Sequence, residues 1–139
     1  MNLASNHASL ERVCLHEYAH WCVARALGAC GFVRVTRLTA RNETPPRYAG
    51  AFEMHGELGE REWRVVALAG TIAEWIHDAP AIAVDDVMVR LAAGGALSPQ
   101  DARLARGYDR DDVERCNALL REHWVAVLGD AAERVAEIE

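Results

Sequence analysis

Ser9-Leu10-Glu11-Arg12-Val13-Cys14-Leu15-His16-Glu17-Tyr18-Ala19-His20-Trp21-Cys22-Val23-Ala24-Arg25-Ala26-Leu27 is the stretch on which the reading of this chain turns. Its spacing is helical, and residues 5–28 read as one amphipathic helix ended by Gly28, with Gly31 just beyond. At its centre stands HExxH, His16-Glu17-Tyr18-Ala19-His20. Positions i and i+4 share a helix face, so His16 and His20 can hold one metal ion together, and Glu17 can reach a water on that ion. At 100° per residue the three side chains fall within an arc of roughly 100°, with Val13, Val23, Ala24 and Leu27 on or near the same side. Unpaired imidazoles facing an apolar interior are costly, and a metal satisfies both at once. Two imidazoles and a neighbouring carboxylate are what zinc-dependent hydrolysis of an amide needs. The plainer alternative is a surface helix with two solvated histidines.

Composition narrows the setting. The chain has 139 residues, enough for a single domain spanning 1–139 that buries roughly 68% of its unfolded surface. The net charge is −6, with 21 acidic and 15 basic residues, and the arginines are spread along the sequence. That balance argues against nucleic acid as a partner. No stretch approaches the ~18 apolar residues of a membrane span, and no secretory signal opens the chain, so a cytoplasmic location is expected. Cys14, Cys22, Cys30 and Cys116 form no CxxC and are expected to be buried free thiols. Cys14 and Cys22 point about 140° away from the His16–His20 arc and are poor candidates for the same ion. The sequon Asn42-Glu43-Thr44 carries no weight without a secretory signal.

Beyond Gly28 the chain reads as mostly helical with a small sheet. Phe32 to Thr39 alternates apolar and polar side chains and is expected to be a half-buried strand. Arg41 to Arg47, with Pro45-Pro46, reads as a loop, and Tyr48 to Met54 as a second strand closing an antiparallel hairpin. Helices are expected over Glu57–His77 and Ile82–Ala93, the latter stopped by Gly94-Gly95. Another opens with Ser98 as N-cap and Pro99 at the first position. Asp109 or Asp111 caps a further helix through Leu128, and Gly129 separates it from a short C-terminal helix.

A catalytic zinc usually takes three protein ligands, and HExxH provides two. Glu74 is a candidate for the third. It lies in an apolar part of its helix with Asp78 at i+4, and it reads as a ligand, as a residue orienting a ligand histidine, or as the partner of an arginine. Asp101 is another candidate. On helix rules alone, capping is the stronger reading for Asp101, because Ser98-x-x-Asp101 is close to a capping box and an acid in the first turn favours the helix dipole. Asp85, Asp86 and His77 are weaker candidates.

The order of these motifs resembles the peptidase domain of the FtsH-type ATP-dependent zinc proteases. The resemblance starts at Leu15-His16-Glu17-Tyr18-Ala19-His20 and runs through the strand Phe32–Leu38 and the segment Tyr48-Ala49-Gly50-Ala51-Phe52. It continues in Val66-Ala67-Leu68-Ala69-Gly70-Thr71-Ile72-Ala73-Glu74, similar to the family's Gly-Arg-x-Ala-Glu-Glu helix. It ends at Gln100-Asp101-Ala102-Arg103-Leu104-Ala105, similar to the family's Asn-Asp-Leu segment. Tyr18-Ala19 stands where the family has Ala-Gly, Trp75 stands in place of its second Glu, and the spacer from Glu74 to Asp101 is about ten residues longer. The resemblance implies a zincin-like fold with Zn2+ held by His16, His20 and Asp101. It implies Glu17 as general base, with Glu74 near the site as an outer partner or alternative ligand. It also implies that substrate lies extended along an edge strand, here Tyr48, Ala49, Gly50, Ala51 and Phe52.

The expected function is that of a zinc metallopeptidase acting on unfolded or flexible polypeptides or on one dedicated protein partner. GxxxxGK[ST] does not occur, so the chain as it stands is expected to act without ATP. His55, His77 and Tyr48 are unranked candidates for stabilising the transition state. The alternatives are a zincin-fold module that binds a protein without catalysis, and a helical structural domain in which HExxH is incidental.

Overall fold

The computed structural model describes the backbone of residues 2–7 and the whole of residues 9–139. The elements in chain order are β1 (Asn2–His7), α1 (Leu10–Ala26), β2 (Cys30–Arg37), β3 (Tyr48–His55), α2 (Glu60–Asp78), α3 (Val84–Ala92), α4 (Pro99–Leu104), α5 (Arg110–Glu122) and α6 (Trp124–Ile138). The protein is thus mainly helical with one small antiparallel sheet, as expected.

α1 is the axis of the molecule. Ser9 caps it, its side chain accepting the Arg12 N–H at 3.1 Å. Gly28 ends it, with a φ of 96° that a residue with a Cβ rarely adopts. The helix is buried nearly all round: Leu10, Val13, Cys14, Leu15, His16, Glu17, Ala19, His20, Cys22, Val23 and Ala24 all lie inside. This corrects the amphipathic reading. α2 packs on one flank, the sheet on another and α6 on a third. The third flank explains the cysteines. Cys14 packs with Leu10, Tyr48 and Ala131, and the Cys22 thiol faces Asp130. Cys116 is also buried, whereas Cys30 is exposed, contrary to expectation.

The hairpin formed as expected, with β2 antiparallel to β3 in the register Cys30↔His55 to Arg37↔Tyr48. The helix expected from residue 5 did not. Residues 5–7 belong to β1, Ala8 lies outside the described residues, and α1 starts at Leu10. β1 pairs antiparallel with β3, from Asn2↔Glu53 to His7↔Tyr48, so the strand order is β1-β3-β2. Tyr48, Ala49, Gly50, Ala51 and Phe52 therefore lie in the middle strand and not on an edge. Alternate β3 residues Tyr48, Gly50, Phe52 and Met54 are buried, as expected of a strand with one face on the core.

Ser98 and Pro99 open α4 as expected, and Asp109 caps α5. The break between the last two helices falls at His123, not Gly129, which sits inside α6. A glycine is tolerated within a helix at about 1 kcal/mol relative to alanine, so it need not end one. Among the described residues no helix is long and apolar enough to cross a membrane.

Candidate metal centre

α1 and α2 can run close together because α2 is narrow where they meet, at Ala67, Ala69, Gly70 and Ala73. A Cβ on Gly70 would overlap the His16 imidazole, so the bare backbone makes room for that ring. Gly50 does the same on the sheet side, since a Cβ there would stand 2.6 Å from Glu17 Cγ and 2.7 Å from Val13 Cγ1. Phe52 stacks on His20, with ring centroids 6.3 Å apart. The two histidines and Glu17 are thus held between α2 and β3.

The outer ring nitrogens are committed. His20 Nδ1 lies 2.6 Å from the Val66 carbonyl oxygen. A carbonyl only accepts, so Nδ1 carries the hydrogen, which leaves Nε2 as the ring nitrogen that could ligate a metal. His16 Nδ1 donates to Glu74 Oε2 at 2.8 Å. Both Nε2 atoms turn toward Asp101, whose Oδ2 is 3.3 Å from that of His16 and 3.7 Å from that of His20. One atom from each of His16, His20 and Asp101 lies within 4.8 Å of the others. Ligands of one tetrahedral zinc at 2.0–2.2 Å stand about 3.3 Å apart, close to the separations already present.

The buried polar atoms point the same way. His20 Nε2 and Asp101 Oδ1 have no hydrogen-bond partner among the described residues. A buried carboxylate facing two imidazoles in a closed site needs a cation beside it. Burial lowers the His16 pKa, but the hydrogen bonds to Asp101 and Glu74 and the charge of Glu17 outweigh it, and the ring is pushed up to about 10. Burial works against the Asp101 carboxylate too, yet His20 and His16 hold it well below the usual range. The donor set of two imidazoles and one carboxylate suits zinc.

Asp101 reaches the site from α4. Its backbone N–H donates to Ser98 Oγ at 3.2 Å while its side chain faces the histidines. Capping and site placement, which competed as readings of the sequence, therefore use different atoms of one residue. Glu74 stands behind His16 and contributes no atom to the ligating group. Its other oxygen is 3.6 Å from Arg12 Nε, and the Arg12 guanidinium forks onto Asp78 with two hydrogen bonds of 3.1 Å. Both the arginine-partner and the histidine-orienting readings of Glu74 describe its contacts. Glu17 is fully buried, with Oε1 3.8 Å from His16 Nε2.

The remaining candidates lie elsewhere. Asp85 pairs with Arg110, and Asp86 caps α3 through the Ala83 N–H. His55 and His77 are exposed, and Tyr48 is buried against Leu10 and Cys14. A groove of about 450 Å³ runs between α1 and α6 past Arg12, Leu15 and Val135, away from the ligating group. Arg12, Gly70 and the Val66 carbonyl were not singled out from sequence, and Gly50 was named only as part of the substrate strand, not as the residue that makes room for Glu17. Arg12 was detectable, because it precedes His16 and His20 at steps of four, and so was Gly70, as a glycine inside an apolar helix. The Val66 carbonyl carries no side-chain signal.

No known protein family's sequence profile matches the chain, and no curated protein matches it in sequence.

Proposed function

We propose that this protein is a zinc-dependent peptidase domain of the zincin type, acting on extended polypeptide. The observation that carries this reading is the convergence of His16, His20 and Asp101 on one point, with two orphaned buried atoms and Glu17 beside it. The order of motifs resembling FtsH-type peptidase domains supports it further. His16, His20 and Asp101 would hold the ion. A zinc ion there supplies a Lewis acid that acidifies water and polarises a carbonyl. Glu17 takes the proton from the attacking water and returns it to the amine nitrogen as the C–N bond breaks. Glu74 keeps the His16 hydrogen on Nδ1 and so keeps Nε2 turned inward, and the Val66 carbonyl does the same for His20.

The test is cleavage of an unstructured peptide by zinc-loaded protein, run beside Glu17→Gln. We expect one bound zinc in both and a rate roughly 10²–10⁴-fold lower in the variant. Equal behaviour of the two proteins would remove catalysis from the reading. The closed state of the site favours a second reading, a metal-holding module that binds a protein partner without cutting it. Partner binding that is indifferent to Glu17→Gln would select that one.

A further inference from the structure

The four groups that would do the chemistry are shut away from solvent. His16 is 3% exposed, and Glu17, His20 and Asp101 are 0%. No peptide carbonyl reaches Glu17 unless part of the protein moves. α1 and α2 hold the histidines and Glu74, α4 carries Asp101, and β3 seats Phe52 on His20 and Gly50 on Glu17. Each of these elements is needed for the site to exist. β1 packs against α1 and α4, the two elements from which His16, His20 and Asp101 come.

β1 also has the shape of a bound peptide. It is six residues of extended backbone, antiparallel to β3, with Ser5 opposite Gly50, the residue against which Glu17 packs. A strand lying there takes up the row of N–H and C=O groups that β3 would otherwise present as an edge. We propose that β1 occupies the substrate's own position, and that an extended polypeptide binds by replacing it on β3. This deepens the peptidase reading by naming its substrate class and its gate, but the exchange of strands does not itself depend on catalysis. Ala49, Gly50 and Ala51 carry nothing larger than a methyl group along the stretch that pairs with the incoming strand. Recognition is then carried by backbone pairing, with little selection among substrate side chains.

The test pins β1 in place in the full chain. Ala4 and Ala51 are register partners, so Ala4→Cys with Ala51→Cys allows a cross-strand disulfide, made in a Cys30→Ser background because Cys30 is exposed. Peptide binding is read by anisotropy in the Glu17→Gln form, oxidised and then reduced with a phosphine. We expect at least a tenfold loss of affinity on oxidation and full recovery on reduction. Ala4→Pro and Ser5→Pro, of which at least one removes a donor that faces β3, should raise affinity several-fold. Equal binding by oxidised and reduced protein, or no binding by either, overturns the proposal. So does release of β1 that yields only a concentration-dependent dimer, which would assign the β3 edge to a second copy. Binding that the disulfide blocks, without cleavage by the Glu17 protein, keeps the proposal and removes the peptidase reading.

Discussion

Asp101 and Asp112 are built alike and surrounded oppositely. Each is fully buried in the first turn of a helix, three residues after a capping side chain. The Asp101 N–H donates to Ser98 Oγ at 3.2 Å, and the Asp112 N–H to Asp109 Oδ1 at 2.9 Å. Asp112 then meets permanent cations, accepting from Arg64 Nε at 2.9 Å with Arg61 3.6 Å away. Asp101 meets two imidazoles whose outer nitrogens are already bound to Glu74 and Val66. A guanidinium neutralises a buried carboxylate for good, so Asp112 ties α2 to α5. An imidazole brings a cation only when a proton or a metal is supplied. Burial and capping are therefore common to both acids, and the partner alone separates a structural acid from a candidate ligand.

Removing each acid gives the sharpest test of that contrast. Asp101→Ala should lower zinc affinity more than 100-fold, beyond the 10–100-fold typical of residues that only orient a ligand. Asp112→Ala should leave zinc uptake unchanged and cost about 3 kcal/mol of stability, since it strands Arg64 at a partly buried site. Zinc titration and denaturant melts of the metal-free proteins read the two effects separately. Equal zinc loss in both variants would mean that the two acids are not distinguished by their partners.

Glu74 gives a smaller and more specific effect. Glu74→Gln keeps the shape and still accepts the His16 Nδ1 hydrogen, but loses the charge that makes His16 a stronger donor to a metal. Zinc affinity should fall 10–100-fold, with the ion still bound at saturation. A loss as large as that of Asp101→Ala would instead make Glu74 a ligand and undo the assignment of roles.

Much of this was legible in the sequence, for reasons that can be traced. The i, i+4 spacing of His16 and His20 survives any error in helix boundaries, and the hairpin alternates strongly enough to be seen. Asp101 was harder, because capping rules account for its backbone and are silent about its side chain. Only the order of motifs pointed past them. β1 was not legible. Asn2-Leu3-Ala4-Ser5-Asn6-His7 has no β-branched or aromatic residue, and it is a strand because β3 offers it an edge. Missing β1 is also what made Tyr48–Phe52 look like an edge. The corner at His123 escaped for a similar reason, as neither Gly nor Pro marks it.

The contrast extends to glycines, where the expected effects are smallest. The Asp101 side of the molecule needs bare backbone beside its rings, because Gly70 lies against the His16 imidazole. Gly129 is also inside a helix, but nothing stands within 4 Å of a Cβ placed there. Gly70→Ala should cost about 1–3 kcal/mol through overpacking, and it should weaken zinc binding as well, because the ring that yields is a ligand. Gly129→Ala should gain about 0.5–1 kcal/mol, since alanine loses less backbone freedom on entering a helix. Thermal melts with and without zinc separate the two sites. A Gly70→Ala protein that lost stability but kept its zinc affinity would show that His16 can retreat without leaving the metal, and that the narrow waist of α2 serves packing alone.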